Sequence, residues 1–227
     1  QDEPWQHNTM LCSNDLDPRD GVMPNVSDFI RSSSNNKIYT LLEPQVKDTR
    51  IPTTGWSNGS SMYAWSMEFS GWNETWGPGK VAKSTDGGKN WTTASWSFHE
   101  NFKTFWAVES KTESNRVLLF ATPEQRKGPV RLASVLKSDP MSQSNYSYWD
   151  GSGWSSNPNN AVVIQDSPQG EFSVHYNDYL DRWIMFGLDL GADQGGSTDP
   201  GAYGKYNINI REAKNPEGPW SDNFSLD

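Results

Sequence analysis

Short stretches of alternating apolar and polar residues recur along most of this 227-residue chain. Clusters of Gly, Pro, Asn, Asp and Ser separate them, and no window combines helical periodicity with helix caps. The pattern predicts an all-β protein with many tight turns. The predicted strands cover residues 36–42, 61–69, 79–84, 104–110, 116–123, 130–136, 161–166, 171–178, 181–190 and 206–213.

One of the turns between these strands has the sequence "STDGGKNW", at residues 84–91. Its spacing, Ser-x-Asp-x-Gly-x-x-Trp, is that of an Asp box, a hairpin turn found on β-propeller blades. Asp86 can accept hydrogen bonds from the turn backbone, and the two glycines can adopt positive φ angles. Trp91 can then fold over the apolar end of the hairpin. The alternative is an ordinary Asp-Gly-Gly turn.

Turns that end in tryptophan recur at similar intervals. They end at Trp91, Trp154 and Trp220, which are 63 and 66 residues apart. A repeat of this length holds several strands, which predicts a β-propeller of four-stranded antiparallel blades in a single domain over residues 1–227. A two-sheet β-sandwich is the structural alternative.

The composition favours a carbohydrate ligand over a nucleic acid or a membrane. The chain has 12 Trp, and 13% of its residues are aromatic. Sugar rings stack on flat aromatic faces, although packing inside the blades is the alternative use for each Trp. The net charge is −9 and no dense basic patch occurs, so binding to nucleic acids or anionic membranes is not expected. A neutral glycan is compatible with such a surface.

The cysteine count and the glycosylation motifs bear on the compartment. Cys12 is the single cysteine, so an internal disulfide is excluded. The sequence starts at Gln1 without an apolar leader, so we expect that any signal peptide has been removed, and no apolar run approaches the length of a membrane span. Glycosylation sequons favour a secreted, extracellular glycoprotein of eukaryotic, fungal-like type. They lie at Asn25, Asn58, Asn73, Asn90, Asn145 and Asn223.

An ordered set of longer motifs carries a family resemblance. The motifs are "RIPTTGW" (50–56), "MYAWSMEFSGW" (62–72), "AKSTDGGKNW" (82–91), "NFKTFWAV" (101–108), "ATPEQRKGPVRLASV" (121–135), "YSYWDGSGW" (146–154), "GEFSVHYNDYLDRWIMF" (170–186) and "IREAKNPEGPWS" (210–221). In this order they resemble the family named domain of unknown function 4185, which is similar in membership to glycoside hydrolase family 183. That family consists of endo-D-arabinanases with a five-bladed propeller, and the resemblance runs from about Asn8 to Ser221.

The resemblance implies a secreted glycoside hydrolase that acts on an arabinan-type polysaccharide by acid/base hydrolysis of furanosidic bonds. The alternatives are a non-catalytic, lectin-like propeller that binds glycans and an inactive fragment of such an enzyme. The sequence departs from the family pattern because it lacks any Gly-Asp dipeptide and stops soon after the "GPWS" turn. We therefore expect about three to four blades, with open blade edges that either self-associate or retain the missing segments.

Hydrolysis of a furanosidic bond uses two carboxyl groups, one as proton donor and the other as nucleophile or base. The resemblance implies Glu171 as a catalytic residue, because it follows a glycine at the start of a predicted strand, as in the matching family motif. Arg126 and Arg211 lie in matching motifs and are predicted to stabilise this carboxylate or bind sugar hydroxyls. A structural ion pair between Glu171 and Arg211 is the alternative. No second carboxylate has comparable support, and Glu68 and Glu100 are expected on solvated surfaces.

Five further residues are candidates for substrate binding, each with a structural role as the alternative: Asn8, Tyr63, Asn101, Phe102 and His175. No His or Cys cluster has the spacing of a zinc site, and we expect no cofactor. Two Asp-rich loops, residues 14–21 and 189–201, could hold calcium, with a plain surface loop as the alternative.

Overall fold

The computed structural model describes residues 8–11, 29–31, 40–45, 49–70, 75–109, 115–123, 128–166, 169–189, 207–222 and 224–226. Within these residues the regular structure is three antiparallel sheets and a few single-turn 3₁₀ helices. The prediction of an all-β protein with four-stranded antiparallel blades is confirmed, and two of the sheets carry additional short strands. We call the sheets blades 1, 2 and 3 in chain order. None of the helices in the described part could cross a bilayer.

Blade 1 contains the first five strands. They are β1 (Thr49–Ser57), β2 (Met62–Ser70), β3 (Thr75–Trp76), β4 (Lys80–Ser84) and β5 (Thr92–Thr93). Their order across the sheet is β1-β2-β4-β5, and β3 pairs with β2.

Blade 2 contains the next six strands. They are β6 (Thr104–Glu109), β7 (Arg116–Thr122), β8 (Val130–Leu136), β9 (Tyr146–Trp149), β10 (Trp154–Ser155) and β11 (Val163–Gln165). The strands from β6 to β10 lie in sequential order, and β11 pairs with β8.

Blade 3 contains the last four strands. They are β12 (Gln169–Asn177), β13 (Arg182–Asp189), β14 (Asn207–Ala213) and β15 (Phe224–Leu226), in sequential order. Its first strand, β12, contacts β6, and β6 also contacts β1. The first strands of the three blades are therefore neighbours, and we call them the inner strands.

The inner strands β1 and β6 run in the same direction. The hydroxyl of Thr104 donates to the sulfur of Met67 over 3.5 Å, and Met67 is the pairing partner of Ile51. Two residues further along each strand, Thr53 and Trp106 line one cavity. Corresponding ends of the inner strands consequently lie on the same side of the molecule, as successive blades require.

Aromatic residues fill the seam between blades 1 and 2. Trp65 is fully buried and its Nε1–H donates to the hydroxyl of Tyr146 at 3.3 Å. Phe98 packs edge-on against both Phe105 and Tyr146, with ring centroids 4.5 and 5.0 Å apart. Such pairs add about 0.5–1.5 kcal/mol each beyond the burial of apolar area. These aromatic residues therefore join blades 1 and 2. Their role is packing, which the composition allowed as the alternative to binding sugars.

The seam between blades 2 and 3 is mainly apolar as well. Phe120 and Leu132 of blade 2 are fully buried against Phe172, Trp183 and Met185 of blade 3. Phe172, Trp183 and Met185 alternate with more exposed residues along their strands, as the period of two for a half-buried strand requires, whereas Phe120 and Leu132 lie in stretches that are buried on both sides. The two seams fix how the inner strands approach one another.

The turn at residues 84–91 has the hydrogen bonds predicted for it. Asp86 accepts from the backbone N–H of Asn90 at 2.9 Å and from the hydroxyl of Ser84 at 2.8 Å. The turn bends back because Gly87 and Gly88 have φ angles of 74° and 84°. Trp91 donates its Nε1–H to the carbonyl of Gly88 and packs against the small apolar cluster that includes Ala64 and Ala82.

The three repeated tryptophans do not occupy equivalent positions. Trp91 and Trp220 each lie between the third and fourth strands of their blades. Trp154 is the first residue of β10. It therefore lies in the turn after the fourth strand of blade 2, one turn later than Trp91 and Trp220 in their blades. The regular spacing of the three tryptophans predicts equivalent positions on successive blades. This prediction is wrong for Trp154, because β9 precedes its turn.

Blade 1 buries a group of charged side chains. Glu68 is 0% exposed and accepts from the backbone N–H of Gln45 at 2.9 Å, so its predicted place on a solvated surface is wrong. Arg50, its pairing partner on β1, is also buried and donates to the hydroxyls of Ser66 and Thr93. Burial lowers the pKa of Arg50, and the charge of Glu68 opposes this shift. Glu100, in contrast, is exposed as predicted.

Candidate functional site

A cavity of about 490 Å³ opens beside the inner strands. Its polar side is built by Thr53 of β1, Trp106 of β6, and Glu171 and Ser173 of β12. Its apolar wall comes from blade 3 and consists of Phe172, Phe186, Gly187, Leu188 and Ile208. A volume of this size is typical of sites for small ligands. We call it the Glu171 cavity.

Strand alternation places Glu171 in this cavity. Phe172 and Val174 of β12 are buried in the seam with blade 2, so Glu171, Ser173 and His175 point to the other side and are exposed. The pairing of β12 with β13 shifts register between Gln169 and Phe172, so the strand is irregular where it presents Glu171. Glu171 therefore lies on an inner strand and lines a cavity, while the residue stays in contact with solvent.

Trp106 forms the opposite wall of the Glu171 cavity. Its indole Nε1–H donates to the hydroxyl of Thr122 on β7 at 3.0 Å. This hydrogen bond and the half-buried position of the side chain fix the orientation of the ring. A fixed aromatic ring beside an exposed carboxylate combines a stacking surface with an acid/base group.

A short contact joins the inner strands of blades 2 and 3. The Nδ1 atom of His175 lies 2.6 Å from Oε2 of Glu109, and their side chains are 75% and 14% exposed. In a neutral imidazole Nδ1–H donates to the carboxylate, which leaves Nε2 as an acceptor. The carboxylate therefore sets the orientation and tautomer of an exposed histidine.

This contact lies at one end of the Glu171 cavity. Trp106 and Glu171 line the cavity together. Glu109 follows Trp106 by three residues on β6, His175 follows Glu171 by four residues on β12, and the side chains of Glu109 and His175 are in contact. At about 3.3 Å per residue, the histidine lies roughly 10–13 Å beyond Glu171 along the direction of the inner strands. Glu171 lines the cavity, whereas His175 lies two residues beyond Ser173, the last residue of β12 in the lining, and we call this position the rim.

Asn8 and Tyr63 lie together, but in a second groove along β1. Asn8 uses both ends of its amide on the backbone, accepting from Leu41 and Leu42 and donating to Leu42 and Arg50. Tyr63 is 2% exposed. In the structure Asn8 holds the N-terminal segment against β1, and a role in substrate binding stays a prediction for both residues.

The other predicted site residues lie outside these two places. Asn101 lies in a 3₁₀ helix, with its backbone N–H bonded to Nδ1 of His99, and Phe102 is fully buried in the seam between blades 1 and 2. Arg211 is 8% exposed and donates to the carbonyl of Ser221 at 2.9 Å. Arg126 lies outside the described residues.

The pairing in blade 3 separates Arg211 from the Glu171 cavity. Arg211 pairs with Met185, which pairs with Val174, so these side chains share the buried side of the sheet. Glu171 lies on the other side and lines the cavity. The structure thus places the two members of the considered ion pair on opposite sides of blade 3.

Sequence reasoning missed Thr53, Trp106 and Glu109. Trp106 and Glu109 belong to "TFWAVE", the first strand of blade 2, and Thr53 belongs to the first strand of blade 1. The available signal was their position in the first strand of a repeat, because that strand is the innermost one in a propeller. The identity of the strands that meet in space could not be obtained from spacing alone.

Among the described residues, no three His, Cys, Asp or Glu side chains come together in a group that could hold a metal ion. Of the two Asp-rich loops considered for calcium, residues 14–21 and 190–201 lie outside the described part of the chain. Calcium binding there stays a prediction.

Successive antiparallel blades with adjoining inner strands and a cavity beside them define a β-propeller type of protein. The family comparison identifies which type: residues 1–226 match the model of the family described as domain of unknown function (DUF4185). The chain belongs to this family, as its motifs indicated. No curated protein matches the sequence significantly.

Solved structures support the fold. A protein of Bacteroides ovatus provisionally assigned as a hydrolase is 13% identical, with a TM-score of 0.56 over 89% of this chain and 58% of its own. The present chain thus spans 58% of the length of that protein. At this level of identity the likeness shows the fold alone.

An arabinofuranosidase and an endo-arabinanase also match, with weaker structural agreement. The α-L-arabinofuranosidase Arb93A of Fusarium graminearum, solved with an iminosugar inhibitor, is 13% identical, with a TM-score of 0.43 over 87% of this chain and 53% of its own. The endo-1,5-α-L-arabinanase of Thermotoga petrophila is 13% identical, with a TM-score of 0.39 over 78% of this chain and 39% of its own.

Proposed function

We propose that this protein binds an arabinan-type polysaccharide in the Glu171 cavity, and that the chain is part of a glycoside hydrolase that cleaves furanosidic bonds. The observation that carries the proposal is the exposed carboxylate of Glu171 on an inner strand, lining a cavity that Trp106 also lines. The fixed indole ring provides a surface on which a sugar ring can stack. The hydroxyls of Thr53 and Ser173 donate to backbone carbonyls and can accept hydrogen bonds from sugar hydroxyls.

In this proposal Glu171 acts as one of the two carboxyl groups that glycoside hydrolysis uses. A protonated Glu171 gives a proton to the leaving oxygen, or an ionised Glu171 attacks the anomeric carbon or removes a proton from water. Glu109 is the candidate for a supporting role at the rim, where it holds His175 with Nε2 available to a sugar hydroxyl.

A glycan-binding propeller without catalysis is the second candidate function. It is favoured by one observation: among the residues that line the Glu171 cavity in the described structure, Glu171 is the one carboxylate. A single carboxyl group can bind a sugar through hydrogen bonds, but it cannot provide both an acid and a nucleophile or base.

Incubation of the protein with D-arabinan, followed by chromatography of the products, distinguishes the two candidates. Release of oligosaccharides by the wild type, lost in Glu171→Gln and retained in Glu100→Gln, would support hydrolysis. Glu100 is a suitable control because it is exposed in a 3₁₀ helix and does not line the cavity. Binding on a glycan array without product release would contradict the enzymatic proposal and support the second function.

Secretion and N-glycosylation are part of the proposal. Asn58 lies in an exposed turn between β1 and β2, which makes it the best placed of the described sequons. In contrast, Asn90 and Asn145 donate their amides to Asp86 and to the carbonyl of Asp139. Expression in a yeast secretory host, with intact mass measured before and after glycosidase treatment, tests this. A glycan on Asn90 or Asn145 with none on Asn58 would contradict this ranking.

A further inference from the structure

A second groove runs along β1 beside the Glu171 cavity. It has a volume of about 550 Å³ and lies between β1, the N-terminal segment at residues 8–10, and the start of β2. We call it the Trp56 groove and define it by Asn8, Leu42, Thr53, Trp56, Tyr63 and Trp91.

The groove and the cavity meet at Thr53, which lines both of them. From this shared residue the groove follows β1 toward its end at Ser57, while the cavity extends toward β6 and β12. A ligand longer than the Glu171 cavity can therefore continue into the groove without leaving the surface of the inner strands.

Trp56 is fixed within the groove and keeps part of its surface accessible. Its ring stacks on Tyr63 with an interplanar angle of 22° and centroids 5.7 Å apart. Tyr63 packs in the hydrophobic core and is 2% exposed. Trp56 is half-buried, and its chain neighbours Gly55 and Ser57 are exposed. A stacked, partly accessible indole ring is a suitable platform for a sugar ring.

The chemistry of the groove fits a neutral, hydroxylated ligand. None of its lining residues in the described structure has a charged side chain. Hydroxyls of Thr9 and Thr54 line the groove, whereas the Ser57 hydroxyl is bonded to the backbone of Ser61 and Gly59, and the Asn8 amide is likewise committed to the backbone. An uncharged groove with aromatic and hydroxyl groups favours a carbohydrate over an ion or an acidic peptide.

We propose that the Trp56 groove is an additional binding site for further sugar units of the same polysaccharide that occupies the Glu171 cavity. The proposal rests on the proposed function, because it assigns the ligand of the cavity to the groove. It makes Trp56 the stacking residue for units beyond the one beside Glu171, and Thr53 the residue at the junction.

Calorimetric titration with D-arabino-oligosaccharides of increasing length tests this inference. The wild type should bind longer oligosaccharides more tightly once they reach the groove. Trp56→Ala should remove this gain, with about tenfold weaker binding of the longest oligosaccharide and unchanged binding of the shortest. Trp56→Phe, which keeps a ring, should retain most of the gain. Trp154→Ala is the control, because Trp154 is exposed on the short strand β10 and lies in neither place.

A spectroscopic measurement on the wild type avoids dependence on how well Trp56→Ala folds. In protein labelled with 5-fluorotryptophan, the fluorine resonance that disappears in Trp56→Phe should shift with long oligosaccharides and stay unchanged with the shortest. A length-dependent gain that persists in Trp56→Ala, or a Trp56 resonance that never moves, would overturn the inference while the proposed function stands. Failure of the wild type to bind any oligosaccharide would overturn the proposed function and the inference with it.

Discussion

His175 and Glu109 connect the inner strands of two blades through a 2.6 Å contact between Nδ1 and Oε2. The histidine is 75% exposed and the carboxylate is 14% exposed, so the more buried partner is Glu109 of blade 2. Because the carboxylate occupies Nδ1, Nε2 is presented at the rim of the Glu171 cavity. The contact sets the orientation of the imidazole, and its expected contribution to folding stability is small.

Glu109→Ala should release the His175 ring without unfolding the protein. His175 is 75% exposed, and an ion pair with one partner this open to solvent contributes about 0–1 kcal/mol, so the free energy of unfolding should change little. The neutral ring should change from carrying its proton on Nδ1 to carrying it mainly on Nε2, which long-range ¹H–¹⁵N spectra detect. His175→Gln assigns the resonance. If the proton stays on Nδ1 in Glu109→Ala, Glu109 does not orient this ring.

The same variant, Glu109→Ala, also tests whether the orientation of His175 affects oligosaccharide binding. A hydrogen bond to a sugar hydroxyl contributes about 0.5–1.5 kcal/mol, so Glu109→Ala should weaken oligosaccharide binding by about two- to tenfold. Glu212→Ala, an exposed carboxylate on β14, serves as the control and should bind like the wild type. Equal loss of binding in both variants would indicate a general effect of net charge.

Glu68→Gln should strongly destabilise blade 1. The substitution leaves the buried cation of Arg50 without the opposing charge of Glu68, and Lys80, also buried, loses the same charge. Removing one partner of a buried charge pair costs about 3–5 kcal/mol. Urea unfolding followed by tryptophan fluorescence measures the change.

A double-mutant cycle tests whether Arg50 is the reason for this loss. If the charges are coupled, Glu68→Gln together with Arg50→Met should cost less than the sum of the two single variants. Glu100→Gln is the control at an exposed carboxylate and should change the free energy of unfolding by less than about 0.5 kcal/mol. Additive losses would show that Arg50 and Glu68 act independently.

Most strands could be predicted because their alternation is local. The stretch 130–136 coincides with β8, and 61–69 lies within one residue of β2. The strand β1 was missed because Pro52, Gly55 and three threonines break the apolar alternation. The predicted strand at 36–42 is wrong at residues 40–42, which form no strand in the described structure.

The error at Trp154 has a similar origin. "SYWDGSGW" resembles the other Trp-bearing turns, so the sequence suggested one turn after β8, whereas Tyr146–Trp149 form the additional strand β9. The candidate site was predictable only in part. Glu171 could be proposed because it follows a glycine at the start of a predicted strand, as in the matching family motif. Trp106 and Thr53 depend on which strands meet across the blades, a non-local property that alternation does not encode.

The hydrogen bonds of Asp86 should make the turn at residues 84–91 sensitive to acid. The bonds from the backbone and side chain of Asn90, with a smaller contribution from Ser84, lower the pKa of Asp86 to about 2. Because the pKa is lower in the folded state than the ordinary value of 3.8, ionised Asp86 stabilises the fold above about pH 4. This contribution is lost as the pH falls from about 4 to about 2.

Asp86→Ala measures this contribution. The difference in melting temperature between the wild type and the variant should be largest at pH 6 and should shrink at pH 4 and again at pH 2.5. Asp166→Ala is the control at another exposed Asp, outside the turn. A difference for Asp86→Ala that stays constant over this range would show that the ionised carboxylate is not the stabilising group.

Blade 3 should mediate association between copies of this chain. Phe186 pairs with Ile210, which pairs with Phe224, so these side chains share the side of the sheet opposite the seam with blade 2, where Phe186 also lines the Glu171 cavity. Phe186 is 43% exposed and Phe224 is 67% exposed, which leaves an apolar row open to solvent. The net charge of −9 opposes contact between copies, so salt should strengthen the association by screening this repulsion.

Light scattering coupled to size-exclusion chromatography, at several protein and salt concentrations, measures this association. The average mass should rise above 25.6 kDa with both concentrations, and Phe224→Ser should reduce the rise. Tyr179→Ser is the matched control, because Tyr179 is 94% exposed in the turn between β12 and β13 and lies outside the apolar row. A mass that remains at the monomer value throughout, or equal effects of both substitutions, would contradict association through this side of blade 3.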